Sequence, residues 1–357
     1  MVELADIFIR HGPEYLDRFA NRMLPSHIRA MHDIVNCRTP LMGGRVYQCQ
    51  NPDCQKHLYS YHSCGNRNCP KCGQDRTEQW LKKQYKRLLP TPYFLVSFTL
   101  PAELRNIARS NQKLIYNLLF TSSAAALQKL AKDPRFIGGT IGMIGALHTW
   151  RRDMQYHPHV HYIVPGGGLS PDHSQWIPSD PAFLIRVELL SFVFRAKFRD
   201  ALKKTKLYQN VPQDVWAKHW VVHSKPVGDA QCALKYLAPY VYRVAITNNR
   251  IEKLQDGSVF FRFKDSDIEQ WKTQSVPAME FIRSFLQHVL PKGFVKIRYY
   301  GLFAPGKRNL LVVAKYLLGK IVEPTLSMQK HENEICPHCG HRLLLIKTIP
   351  RSPRAPP

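Results

Sequence analysis

Six of the nine cysteines in this 357-residue chain fall between Cys37 and Cys72, in a stretch rich in Gly, Asn and Tyr with little apolar periodicity. Such a segment buries too little apolar surface to fold unaided. Cys49 and Cys54 form one close pair; Cys69 and Cys72, in the sequence CPKC, form another about one β-hairpin further on. Four thiolates gathered tetrahedrally are what zinc prefers, and the metal supplies the folding energy that the segment lacks. The spacing therefore predicts a structural zinc on Cys49, Cys54, Cys69 and Cys72. Cys37 and Cys64, with His57 and His62 nearby, are left for a second site or as alternative ligands. Cys336 and Cys339 make a late knuckle beside His331, His338 and His341, which either binds its own zinc or lends a pair to the N-terminal cluster. Cys232 stands alone as a small helix residue.

Lysine and arginine number 51 against 26 acids, a formal net charge of +25. That excludes an ordinary neutral-metabolite enzyme and points to a polyanionic partner. The cations are interleaved with rings in LKKQYKRLL (81–89), FVFRAKFRDALKKTK (192–206) and FVKIRYYG (294–301). Rings that stack on bases beside cations that meet phosphates suit single-stranded nucleic acid, although each run alone also reads as an amphipathic element with a solvated basic face. Lys82, Lys83, Lys86, Arg87, Arg243 and Arg250 are the candidate DNA contacts. No apolar stretch reaches membrane-span length, and MVELADIFIRHG is charged where a secretion signal needs an apolar core. A cytoplasmic protein is expected, where clustered thiols serve metals and not disulfides.

The remaining pattern predicts an α+β protein. Residues 1–36 read as short amphipathic helices, 37–90 as a zinc-binding domain with a basic helix from Arg76 to Leu89, 91–320 as a catalytic domain, and 321–357 as a zinc knuckle with a basic tail. Within the third segment the sequence predicts strands at Tyr93–Pro101, Phe136–Trp150, the histidine run, His219–Lys225 and Phe294–Tyr300. Helices are expected at 104–132, 184–204, 229–244 and 278–289, with a hairpin across RIEKLQDGSVFFRFK.

HPHVHYIVPGGG (157–168) places three histidines on alternate residues, and in a strand these share a face. His148 lies on the preceding predicted strand, so antiparallel pairing through the turn RRDMQY brings it opposite that face. His148, His159 and His161 are the expected ligands of a catalytic divalent ion, with open positions for phosphate oxygen and water. His157 is a substrate contact or spare ligand. The glycine run Gly166–Gly168 reads as an ordinary turn. In ALKYLAPYVYRVAITNNRI, Tyr236 and Tyr240 stand four residues apart, on one face of a helix. By itself that pair reads as an aromatic stripe; beside a histidine metal strand it reads as two nucleophiles, since a tyrosine can attack a phosphodiester and hold a 5′ end covalently. Pro239 is expected to kink the helix between them.

These parts, CRTPLMGGRVYQC (37–49), SCGNRNCPKC (63–72), LHTW (147–150), HPHVHYIVPGGG, YLAPYVYRVAITNNRI (236–251), FVKIRYYGLFA and CPHCG, together resemble the HUH rolling-circle transposases of the two-tyrosine insertion-sequence family, relatives of the Helitrons. The resemblance implies magnesium or manganese on the histidine motif, Tyr236 and Tyr240 as paired nucleophiles, and a central antiparallel sheet flanked by helices. It implies a motif strand near the middle of that sheet, the tyrosine helix laid across it, and a zinc-binding domain in front that helps recognise element ends. It further implies a bacterial, nucleoid-associated transposase acting on single-stranded element ends. Asn68 departs from the pattern, standing where a histidine is expected before the CPKC knuckle. A rolling-circle replication initiator or relaxase shares the same chemistry. A non-catalytic DNA-binding repressor would have no use for tyrosines beside a metal.

Overall fold

The computed structural model describes residues 2–72, 80–242, 244–265, 268–319 and 335–353. They fall into two compact units that do not follow chain order. Met1–Arg76, Ile246–Val289 and Thr325–Pro357 make the first, and Thr77–Ala245 with Leu290–Pro324 the second. A linear division into four consecutive segments does not anticipate that residues 246–289 join the zinc-binding part.

The first unit opens with two amphipathic helices, α1 (Leu4–Phe19) and α2 (Pro25–Val35), which pack on each other and bury Leu4, Ile7, Phe8 and Tyr15 of one and Ala30, Met31 and Ile34 of the other, with the Phe8 ring 5.6 Å from that of Phe285. Strands β1 (Gly44–Cys49) and β2 (His57–Tyr61) form a hairpin, and the late strand β13 (Leu343–Ile349) pairs with β1 on its other side. The order is β13-β1-β2, all antiparallel. A second sheet holds β9 (Ile251–Gln255), β10 (Ser258–Lys264) and β11 (Trp271–Pro277). Asp256 and Gly257 both take positive φ, the type I′ geometry that Asp-Gly favours. One face of this sheet packs Phe261 against Phe281 of helix α7 (Ala278–Leu286) at 5.7 Å. Neither β11 nor β13 was expected from the sequence.

The second unit is built on a five-stranded antiparallel sheet in the order β12-β4-β5-β3-β8, formed by β3 (Tyr93–Thr99), β4 (Gly142–Trp150), β5 (Tyr156–Pro165), β8 (Val222–Pro226) and β12 (Ile297–Gly301). Its core face carries Phe94, Val96, Phe98, Leu147, Val160, Tyr162 and Val164, buried in one cluster with α4 (Gln112–Ala131) and α5 (Val187–Lys203). The long helix expected over 104–132 is broken: α3 (Arg105–Ser110) ends at Asn111, whose φ −131, ψ 44 leave the helical region and whose amide donates to the Ile107 carbonyl. Asn competes for local backbone partners in this way wherever a helix lets it. Helix α6 (Ala230–Tyr242) includes Pro239 and packs on β3, β4 and β5. Helix α8 (Arg308–Leu318) closes the unit.

Gly166–Gly168 is not a simple turn. Gly167–Leu169 forms β6, paired with β7 (Trp176–Pro178), and a Cβ on Gly167 would lie 2.6 Å from the Ile177 carbonyl oxygen. Among the described residues no helix is long and apolar enough to cross a membrane.

The β4–β5 pair is fitted by one bare position. Gly145 faces Tyr162 across the pair, and a Cβ there would meet the Tyr162 ring at 2.5 Å. That ring cannot yield, because its hydroxyl donates to the Phe120 carbonyl (3.1 Å) and shares a 2.8 Å hydrogen bond with Ser123. Gly145→Ala is therefore expected to destabilise the second unit by about 1–3 kcal/mol through overpacking, read as a lowered denaturation midpoint; an unchanged midpoint would contradict this packing.

Candidate active site and metal centres

The register of the second unit's sheet brings the histidines together. His148 on β4 pairs directly with His159 on β5, while His161 lies between Ala146 of β4 and Ser97 of β3. Alternation along β5 turns Val160 and Tyr162 into the core and His157, His159 and His161 to the opposite face. The coordinating nitrogens of His148, His159 and His161 lie within 4.8 Å of one another. His148 is 3% exposed and stacks on Trp150 with ring centres 4.8 Å apart.

Burial keeps the rings of His159 and His161 neutral, leaving nitrogen lone pairs for a cation. It pushes His159 down to about 4. His161 is held well below its usual value, by burial first and then by the cost of a positive charge beside His159, Lys225 and His157. The His159 Nδ1–H donates to the His157 carbonyl at 2.7 Å, which fixes that tautomer and leaves Nε2 as the ligand atom. His157 itself is outside the cluster: its Nδ1 accepts from the Arg105 guanidinium at 3.0 Å. Its side chain is thus held by Arg105, and its backbone orients the ring of His159. No sequence signal pointed to Arg105, because its approach to His157 is set by the fold.

Helix α6 lies over the same region of the sheet. Tyr236 is half-buried, and the Lys225 ammonium sits 4.8 Å from its ring centre. Lys225 reaches the histidine face by register, since it pairs with Leu95 and Leu95 pairs with Ile163, two residues on from His161. Tyr240 follows one turn later on α6; its side chain and the whole of Arg243 lie outside the described residues.

In the first unit the cysteines group differently from the expected set. Cys49 and Cys54 do not join Cys69 and Cys72. Instead Cys37, Cys64, Cys69 and Cys72 form one group, and Cys49, Cys54, Cys336 and Cys339 another. The cause is the pairing of β13 with β1, which sets Leu343 opposite Cys49 and brings the late knuckle to the end of the first hairpin. The sulfur separations are 3.5 Å for Cys37–Cys72, 3.6 Å for Cys64–Cys72, 3.3 Å for Cys49–Cys339 and 3.9 Å for Cys54–Cys336. A disulfide needs roughly 2.05 Å, whereas the edge of a tetrahedron with zinc–sulfur bonds of about 2.3 Å is about 3.8 Å. Both sets therefore fit zinc. Backbone amides of Cys64 and Asn66 donate to the sulfurs of Cys37 and Cys64. Asn68, the departure from the family pattern, binds Asn66 and is not needed as a ligand.

The candidate DNA contacts divide. Lys82, Lys83 and Lys86 are exposed, although residues 76–79, where their helix was expected to start, lie outside the described residues. Arg87 stacks over Tyr299 at 4.5 Å and donates to the Phe303 carbonyl. Arg250 is only 9% exposed and donates to the Arg262 carbonyl at 2.8 Å, so the expectation of an open DNA contact there is corrected.

Residues 142–310 match the family described as "Putative transposase", and residues 7–100 match "Transposase zinc-binding domain". A "Putative transposase y4qJ" from Sinorhizobium fredii is 39% identical over 342 residues, covering 90% of this chain and 85% of the relative. The chain belongs to the two-tyrosine insertion-sequence transposases. The transposase is also similar to the "Transposase for insertion sequence element IS801" of Pseudomonas savastanoi pv. phaseolicola, 27% identical over 295 residues, 78% of this chain and 70% of that one. No solved structure matches it. The transposase thus carries an N-terminal zinc-binding domain, and its function implies binding to DNA.

Elemental analysis of chelator-washed protein is expected to read two zinc ions per chain, falling to one in Cys336→Ser and to one in Cys69→Ser. Retention of both ions in Cys336→Ser would remove the C-terminal pair from the ligand set.

Proposed function

We propose that this transposase nicks and rejoins single-stranded DNA at element ends through 5′-phosphotyrosine links, as a metal-dependent HUH strand transferase working by a rolling-circle route. The observation that carries the reading is the cluster of three imidazoles, His148, His159 and His161, on the part of the sheet that α6 covers with Tyr236. A divalent ion held there supplies Lewis-acid stabilisation of the charge that builds on the scissile phosphate. Three nitrogen donors suit manganese better than magnesium, which prefers oxygen.

Tyr236 and Tyr240 are the nucleophiles in this reading. The phenolate oxygen attacks phosphorus, the tyrosine–phosphorus bond forms as the bond to the 3′ oxygen breaks, and the 3′ oxygen leaves as a hydroxyl after taking up a proton. Attack by another 3′ hydroxyl on the phosphotyrosine reverses the step and restores the phenol, so no external energy source is needed. Two tyrosines on one helix let a second strand be cut while the first link persists. His157 and Arg105 act by positioning, since they hold the backbone and ring that orient His159. The cysteine sets are structural zinc sites that support the DNA-recognising part.

Incubated with a single-stranded element end and manganese or magnesium, the protein is expected to form an adduct that survives a denaturing gel, with manganese effective at the lower concentration. His159→Ala lowers the yield by more than about a hundredfold with DNA binding retained, and a Tyr236→Phe, Tyr240→Phe double variant forms none. An adduct that persists in the double variant sinks the assignment of nucleophiles.

A further inference from the structure

The sheet β11-β10-β9 has one face packed on α7 and one face open. The open face is set by alternation and register: Phe260, Arg262 and Lys264 on β10 stand opposite Ser275, Thr273 and Trp271 on β11, and Phe260 also stands opposite Lys253 on β9. The buried face takes Ile251, Val259 and Phe261. An amphipathic sheet ordinarily finishes its outer side with small polar and charged groups. Here the outer side carries Trp271, which is 60% exposed, and two cation–ring pairs. The Arg262 guanidinium lies 5.2 Å from the Trp271 ring centre, and the Lys253 ammonium lies 4.4 Å from that of Phe260.

The cations on this face are not all alike. Lys264 is matched by Glu269 at the loop end. Among the described residues Lys253 and Arg262 make no ion pair: the Glu252 carboxylate accepts from the Thr273 hydroxyl opposite Arg262 at 3.2 Å, and Lys253 donates to the neutral Gln255 side chain, so both cations keep their charge for an anion. Leaving an indole exposed costs solvation free energy that a lone charge ladder would avoid, while rings beside unmatched cations are the combination that takes bases on the ring faces and phosphates on the cations. Phe260 and Lys264 lie four residues apart, about 13 Å along the strand, and Trp271 stands opposite Lys264. The two rings thus span a length of two or three nucleotides.

We infer that this open face is a stacking platform for single-stranded DNA, with Trp271 and Phe260 receiving bases and Arg262 and Lys253 receiving phosphates. The inference deepens the single-strand reading above and rests on it for the choice of nucleic acid. It concerns residues outside both the histidine cluster and the cysteine sets.

The test is fluorescence anisotropy of the full-length, zinc-loaded protein with a labelled 20-nucleotide oligothymidylate and with a 20-base-pair duplex. The Trp271 side chain is largely outside the core, so Trp271→Ala is expected to keep the wild-type melting temperature and to weaken single-strand binding about tenfold or more. Duplex affinity changes less than twofold, and Trp271→Phe keeps most of the single-strand affinity. Lys253→Gln with Arg262→Gln flattens the dependence of log affinity on log salt by about 1.4. Single-strand affinity unchanged in Trp271→Ala overturns the platform. Equal losses on strand and duplex overturn its single-strand character. A drop in molecular mass by light scattering, with DNA affinity intact, makes the face a contact between copies of the chain and also overturns it. Adduct formation is not read in this assay, so a protein that binds as expected but never forms the phosphotyrosine adduct separates failure of the cleavage reading from failure of this one.

Discussion

The register between β4 and β5 is the constraint on which the candidate site depends. Pairing His148 with His159 puts three imidazoles on one face, and a slip of one residue would turn each β5 histidine into the core and each core residue outward. Two features hold the register. Val160, Tyr162 and Val164 must face α4 and α5 to stay buried, which fixes the parity of β5. Gly145 under the Tyr162 ring then fixes which residue of β4 stands opposite, because any side chain at that point collides with a ring anchored by two hydrogen bonds. The histidine face is thus specified from the other side of the sheet by apolar packing.

The first unit depends on a different interaction, the closure of its cysteine sets. Cys49 and Cys339 are separated by 290 positions and Cys54 and Cys336 by 282. The length-dependent entropy of closing a loop of that size is about 5 kcal/mol, while thiolate coordination of zinc contributes on the order of 10–16 kcal/mol. A metal can therefore hold the ends of the chain together where the few buried groups around Tyr47 and Leu343 would be a weak clasp alone. This arrangement also sets an order of events: the second cysteine set, and the β1–β13 pairing beside it, are complete only after residues 336–349 have been made.

Much of this was legible in the sequence, and the failures have physical causes. The amphipathic helices, the histidine strand, its partner strand and the Asp-Gly hairpin rest on local periodicity and turn chemistry, which the chain carries in short windows. The cysteines of the knuckles were legible as ligands because CPKC and CPHC are local patterns. Their division into two sets was not, because it follows from β13 joining β1 across nearly the whole chain. Nor does a local pattern reveal that Arg105 holds His157, that Lys225 sits over Tyr236, or that residues 246–289 pack with the zinc-binding part.

The charge of +25 also reads differently once the side chains are placed. Arg87, Arg105 and Arg298 spend their guanidinium groups on rings and internal acceptors: Arg298 lies 4.4 Å from the Phe120 ring centre and hydrogen-bonds to Asn117, while Arg87 lies over Tyr299. Arg250 is committed to a carbonyl. A guanidinium is planar and weakly hydrated, and it can be half-buried on a ring at little cost, whereas an ammonium keeps its water. The exposed lysines 82, 83 and 86 therefore present their charge to a polyanion more openly than these arginines do. Arg195 and Arg262 both lie over rings open to solvent, Phe192 and Trp271, but Arg195 also donates to the Lys218 carbonyl while Arg262 has no such acceptor among the described residues. The charge and planar face of Arg262 are both presented outward, and that sets it apart from the arginines that serve the fold.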